Sequence, residues 1–102
     1  MAEPTADELF ARIRAFEWDE EKRESNLRAH DIDFQDARQV IDGPTFIRQS
    51  DRKGETRYMV FGFIGQEEIV LICTFRGENC RIISARRARR DERRKYHDRL
   101  PR

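Results

Sequence analysis

The spacing of apolar positions changes about halfway along the chain. Leu9, Phe10, Ile13 and Phe16 recur at helical intervals and predict an amphipathic helix over residues 5–14. Thr5 is its expected N-cap, with Glu8 three residues on as in a capping box. A short extended stretch at 15–18 follows. Asp19 predicts the N-cap of a second helix over 20–29, mostly polar, with Leu27 its main candidate for burial. Asp33 does the same for a third helix over 34–41, which puts Phe34, Ala37, Val40 and Ile41 on one face. Asp42-Gly43-Pro44 ends it.

Beyond the proline the pattern is that of strands. Residues 45–49 form a short one and the polar run 50–55 a turn. The apolar runs 57–64, 68–75 and 80–85 are separated by Gly65-Gln66-Glu67 and Gly77-Glu78-Asn79. Short β-branched or aromatic runs between glycine turns predict a hairpin meander. Apolar character on both faces implies helices over one side of the sheet and partial cover on the other. Residues 86–97 return to a helix-favouring composition, with only Ala88 and Tyr96 to offer apolar contact. A helix that polar is held weakly by a core and suits solvent, a partner or a polyanion. The expected class is α+β: N-terminal helices, an antiparallel β-meander, then a basic C-terminal helix.

Composition narrows the setting. A chain of 102 residues is one domain's worth, and although 40% of them are charged, ten aromatics argue against disorder. No apolar run approaches the roughly 20 residues needed to span a bilayer. The first ten residues are acidic and lack a basic-then-apolar signal. A cytoplasmic, reducing location without membrane association is the expectation. Cys73 and Cys80 then read as small buried hydrophobes rather than a disulfide framework.

Charge is what points to a partner. Up to residue 80 there are 11 basic and 17 acidic residues; from 81 onward there are ten and three. The body is acidic and the end is basic, so the end selects a polyanion, and a nucleic acid is the expected one.

Several segments together resemble the BrnT family, the toxin half of a bacterial toxin–antitoxin pair. They are Phe16-Glu17-Trp18-Asp19, then Lys22, Asn26 and His30, then Phe34, Ala37 and Val40. Gly54-Glu55, Arg57-Tyr58, Gly62, Thr74 and Arg76 follow. The densest stretch is Arg81-Ile82-Ile83-Ser84-Ala85-Arg86 with Ala88, Arg90, Glu92, Arg93 and Tyr96. The chain departs from the pattern at Glu20, where proline is common, and at Ala29-His30-Asp31, where Lys-His-Gly is. The resemblance implies a toxin domain over 16–97, preceded by a helical extension at 1–15 and followed by a tail at 98–102. It also implies a RelE-like ribonuclease fold and metal-independent endoribonuclease activity that blocks translation. The implied partner is a BrnA-type antitoxin, which supplies DNA binding and bridges two toxins as a dimer in a heterotetramer.

Metal-independent RNA cleavage must activate a 2′-hydroxyl, stabilise the charge on a phosphorane and protonate the leaving oxygen. Arginine suits the second task, because its forked donors match phosphate oxygens and it stays charged. Arg76 lies at a turn and Arg86 at the expected start of the last helix. A meander that brought these ends together would give a phosphate site beside a helix N-terminus. Their competing role is ion pairing with Glu55, Glu17 or Glu78. Arg57 and Arg81 sit in strands and must reach a surface or an anion. His30 is either an acid–base group or a helix C-cap. Glu55 is either a base or the group that orients an arginine.

Tyr96 either stacks on a base or packs the last helix onto the sheet. Arg90 and Arg93 belong to the basic run 86–99, an electrostatic handle for RNA or a docking face for an acidic partner segment. Catalytic roles are thus expected for Arg76, Arg86, His30 and Glu55, and substrate contacts for Arg57, Arg81, Arg90, Arg93 and Tyr96. Ser84 lacks a hydrolase triad, the Cys and His residues lack zinc spacing, and no glycine-rich phosphate loop is present. No metal or cofactor is expected. The alternative to an enzyme is a non-catalytic module that binds RNA or protein through its basic helix.

Overall fold

Short polar side chains set where the first three helices begin. In the computed structural model, which describes residues 5–99, Thr5 Oγ1 accepts from the Glu8 amide and opens α1 (Ala6–Phe10). Asp19 caps α2 (Glu20–His30) and Asp33 caps α3 (Phe34–Asp42) in the same way, each accepting from the amide two residues on. The α1 helix is shorter than the expected 5–14. The chain leaves it to form β1 (Ala15–Glu17), the extended stretch read from the sequence.

Four longer strands follow: β2 (Phe46–Arg52), β3 (Glu55–Ile64), β4 (Glu67–Arg76) and β5 (Asn79–Arg87). They form the antiparallel meander as expected, but β1 makes the sheet mixed. Strand order is β1-β5-β4-β3-β2, and β1 runs parallel to β5 with Phe16 beside Cys80 and Glu17 beside Arg81. The expected turn over 50–55 shrinks to Lys53-Gly54, both at positive φ, because β2 pairs with β3 as far as Arg52 and Glu55. In β5 the register passes from Ile72–Ser84 to Cys73–Ile82, so Ile83 is an extra residue that bulges the strand.

The last helix also differs from expectation. Arg86 does not start it. Arg86 and Arg87 pair with Val70 and Ile69 and end β5, and α4 covers only Arg90–Tyr96. Helix-favouring composition loses here to ladder hydrogen bonds that β4 offers to both arginines.

One face of the sheet packs against α3. Phe34, Ala37 and Val40 are fully buried there against Val60, Ile69, Leu71, Cys73, Cys80, Ile82 and Ala85. Each large side chain in such a layer contributes about 1.5–3 kcal/mol through burial. The second helix attaches differently. Leu27 is not its anchor; it is exposed, and Asn26 is buried instead. Asn26 donates through Nδ2 to the Ile32 and Ala85 carbonyls and accepts at Oδ1 from the Ala85 amide.

The opposite face is covered only at one end. There Tyr96 of α4 packs on Phe61 and Phe46, with ring centroids 4.3 and 5.4 Å away, and Val70 completes the cluster. Among the described residues no helix is long and apolar enough to cross a membrane.

Candidate active site

Side chains alternate across a strand, so β3 sends Glu55, Arg57, Met59 and Phe61 to the face that α4 partly covers. The register that joins Tyr58 to Cys73 carries Arg57 to the level of Thr74, and Thr74 pairs directly with Arg81 on β5. Arg57 and Arg81 therefore stand on either side of Thr74, with backbones about 10 Å apart across two strand spacings. Thr74 is buried between them and donates through Oγ1 to the Thr56 carbonyl at 2.7 Å.

The same register sets Glu55 level with Arg76, one step nearer the hairpin turn. The α2 helix adds a further cation. It runs beside β5 with His30, Asn26 and Lys22 at successive levels, since the His30 carbonyl accepts from Arg87 and Asn26 holds Ala85. Lys22 falls one turn earlier, against the bulged Ile83.

Two carboxylates organise this cluster. Arg57 Nε donates to Glu55 Oε1 at 2.8 Å, and Arg81 Nη1 donates to Glu17 Oε2 at 2.8 Å. All four side chains are partly exposed, so both pairs orient their arginines more than they stabilise the fold. The Arg57 hydrogen bond holds the Glu55 carboxyl below its ordinary range, and Arg76 and Lys22 add attraction from further off. Arg76 and Lys22 make no side-chain hydrogen bond or ion pair among the described residues. The result is a cluster of four cations, two of them held by carboxylates and two without such a partner among the described residues, on the uncovered end of the sheet.

The expected residues divide into two groups. Arg57, Arg76, Arg81 and Glu55 come together. Arg86 does not join them, which corrects the expectation that Arg76 and Arg86 meet. Arg76 sits at the closed end of the β4–β5 hairpin, while Arg86 pairs with Val70 six residues away along β4, about 20 Å. Arg86 instead forms a two-bond pair with Glu92, at 2.7 and 2.9 Å, and ties α4 to the sheet. Glu92 is held below the usual carboxylate range by this pair.

Tyr96 packs α4 down and accepts a 2.6 Å hydrogen bond from Arg48. Arg90 and Arg93 are exposed on α4, at the far end of the same face. His30 ends α2 and shares a shallow recess with Lys22, Asn26 and Ile83. Lys22, Glu17 and Thr74 were not singled out for the site from the sequence. All three did stand in the quoted motif, Glu17 also as a possible ion-pair partner of an arginine, and helix and strand register would have placed them beside Arg81. Among the described residues no three His, Cys, Asp or Glu side chains gather as a metal ion requires.

Comparison with known proteins shows the family. The family model described as "Ribonuclease toxin, BrnT, of type II toxin-antitoxin system" matches residues 18–92. The crystal structure of the Brucella abortus ribonuclease toxin BrnT is similar, with a TM-score of 0.59 and 28% sequence identity. The similarity covers 74% of this chain and 97% of that one. No curated protein matches. The matched stretch contains α2, α3 and the whole meander, and with them every cation of the cluster, so the chain belongs to the BrnT family of ribonuclease toxins of type II toxin–antitoxin systems.

Proposed function

We propose that the protein is a metal-independent endoribonuclease whose phosphate site is the Arg57–Arg81 cluster. One observation carries the reading: two strand arginines flank Thr74 on an uncovered sheet face, with Arg76, Lys22 and Glu55 at hand. A scissile phosphate set between Arg57 and Arg81 receives forked donors from both sides. As the 2′-oxygen attacks, the added charge on the phosphorane falls among guanidiniums already held in place by Glu17 and Glu55, so little reorganisation is needed. Glu55, ionised and tied to Arg57, orients that arginine; its depressed pKa suits it poorly to proton abstraction. As the P–O2′ bond forms and the P–O5′ bond breaks, the 2′-hydroxyl gives its proton to water and the leaving 5′-oxygen takes one from water, so the part of the site is to stabilise charge. Cleavage of messenger RNA removes templates, and translation stops.

The exposed arginines of α4 lie along the same face and extend the positive track beyond the cluster. A BrnA-type antitoxin with an acidic segment there would cover the track and exclude RNA. DNA contact then belongs to the antitoxin, and a dimeric antitoxin would bridge two copies of this chain. The RelE-like description of the fold rests on the same reading, with helices on one sheet face and an arginine-bearing opposite face.

The test is cleavage of RNA in EDTA by the purified protein, beside an Arg57→Ala/Arg81→Ala double variant. The wild type should cleave, and the variant should lose about 100-fold or more, the scale of removing preorganised donors. Equal cleavage by both would remove the cluster from the mechanism. No cleavage by a folded wild type would leave a binding module. Growth arrest on induction, relieved by co-expressing the antitoxin, checks the translation block and the partner together.

A further inference from the structure

Over the rim of the sheet from the arginine cluster lies a cleft of about 290 Å³. Glu55 and Arg76 belong to both. Its apolar lining is Leu9, Tyr58 and Phe75, with the two rings edge to face at 5.8 Å. Arg12 stands at its margin and makes no side-chain hydrogen bond or ion pair among the described residues. Leu9 and Arg12 come from the α1 segment, ahead of the family match, which begins at residue 18. That segment is firmly placed. Leu9 is only 3% exposed, and the Arg14 amide donates to the Glu78 carbonyl at 2.9 Å.

We propose that this cleft is a subsite for one nucleobase of the RNA, next to the scissile phosphate, and that it selects guanine. The inference rests on the ribonuclease reading above and adds a specificity-determining site to it. The volume is at the small end for ligand pockets and suits one base rather than a larger ligand. Aromatic and aliphatic walls favour a flat ring over a bare anion. The polar groups then choose among bases. Arg12 and Arg76 supply forked donors, which guanine meets with its O6 and N7 acceptors. Glu55 bonds Arg57 through Oε1 and leaves Oε2 without a hydrogen bond among the described residues. That oxygen is an acceptor for the N–H donors on guanine's other edge. Adenine and the pyrimidines lack this combination. Because α1 forms one wall, the preference is a property of this chain's own N-terminal segment.

The experiment compares wild type, Arg12→Ala, Thr56→Trp and Arg14→Ala. Thr56 is exposed and lines the cleft, so a tryptophan there fills it; Arg14 is in the same segment but does not line it. Each protein is incubated with an RNA pool of random sequence, and the new ends are sequenced. Backbone amide shifts are also followed with guanosine 3′-monophosphate, cytidine 3′-monophosphate and inorganic phosphate.

The expected result is enrichment of guanine beside the cut in the wild type and in Arg14→Ala. Arg12→Ala and Thr56→Trp should lower that enrichment by about tenfold, the scale of losing one good base contact. The guanosine nucleotide should shift the Thr56, Tyr58 and Phe75 amides more than the cytidine nucleotide or phosphate. Identical cleavage profiles in all four proteins would overturn the subsite and leave the ribonuclease reading standing. Equal shifts with inorganic phosphate would also overturn it, making the cleft a second phosphate site. A wild type that binds the guanosine nucleotide at these amides without cleaving RNA would support the cleft and sink the ribonuclease reading. Neither binding nor cleavage would end both.

Discussion

Asn26 closes a reciprocal pair of hydrogen bonds with Ala85, donating to its carbonyl at 2.9 Å and accepting from its amide at 3.1 Å. The contact stands where β1 has ended and the edge of β5 has no strand neighbour, so a side-chain amide takes the place of the missing ladder. It also docks α2, whose polar surface offers no apolar stripe. An Asn26→Ala variant leaves the Ala85 amide and carbonyl and the Ile32 carbonyl without this partner. The expected loss is about 2–4 kcal/mol, from several buried groups at about 1–3 kcal/mol each with partial rescue by water. Urea denaturation followed by circular dichroism measures it. A loss under half a kcal/mol would mean that α2 is held by other contacts.

Binding and catalysis should separate along the open face. Arg57→Ala or Arg81→Ala should lower RNA cleavage by about 10²-fold with little change in melting temperature, because both side chains are partly exposed and their ion pairs are orienting ones. A change at Arg90 should weaken RNA binding and reduce its salt dependence by about one phosphate contact. Cleavage of a saturating substrate should hardly move. The measurements are single-turnover cleavage and binding across a salt series. If Arg90→Ala proved as damaging to saturated turnover as Arg81→Ala, the site would have to be redrawn around α4.

What the sequence disclosed follows from how local each signal is. Glycine turns and β-branched runs mark β3, β4 and β5 directly, and Thr5, Asp19 and Asp33 mark helix starts. The pairing of β1 with β5 joins residues more than 60 positions apart, and no local pattern announces it. Leu27 looked like the anchor of α2 because apolar residues usually are; Asn26 wins because an open strand edge rewards hydrogen bonds over burial. Arg76 and Arg86 looked like neighbours because each ends a run. Hairpin geometry brings Arg76 to Asn79 and sends Arg86 to the opposite end. Arg57 and Arg81 were legible as charged intruders in apolar strands, since a strand that buries its neighbours must turn such residues to a surface, whereas Glu55 was legible only as the end of a polar run just before Arg57.

The Arg86–Glu92 pair ties α4 to β5 with both side chains largely covered, 17% and 12% exposed. Its acid dependence has a definite sign. Glu92 has its carboxyl depressed in the folded state by Arg86 first, aided by the Arg89 amide. A depressed acid contributes stability that is present above its unfolded value and is lost as pH falls through the folded one. Stability should therefore decline from the ordinary glutamate range near 4.5 downward, with α4 loosening. Glu92→Gln should flatten that decline and cost about 1–3 kcal/mol at neutral pH, as breaking a charge-assisted pair does. Melting temperatures at pH 7, 5, 4 and 3 check both halves. An unchanged slope in the variant would assign the acid sensitivity to Asp33, Glu55 or Glu20 instead, whose carboxyls are also depressed.

Gly62 lies where β3 passes under α3. A Cβ built there would fall 2.8 Å from Val40 Cγ1 and 3.2 and 3.3 Å from the Val40 and Pro44 carbonyl oxygens. Val40 is fully buried and cannot swing aside freely, and the two backbone oxygens cannot rotate away, so α3 and the Pro44 segment must give by a few tenths of an ångström. Such a shift lifts Phe34, Ala37 and Val40 from the sheet together, because they lie on one rigid face. Overpacking costs about 1–3 kcal/mol. Against it stands the gain of about 0.4–1 kcal/mol from restricting the unfolded chain when glycine becomes alanine. The clash should win, and Gly62→Ala should lower stability by about 1–2 kcal/mol, being the difference of those two terms. Val40→Ala removes the nearest obstacle but creates a cavity of its own, so the pair should be less than additive. A double-mutant cycle by denaturant titration measures the coupling. Strict additivity would show that the carbonyl oxygens alone, and not the valine, set the space at Gly62.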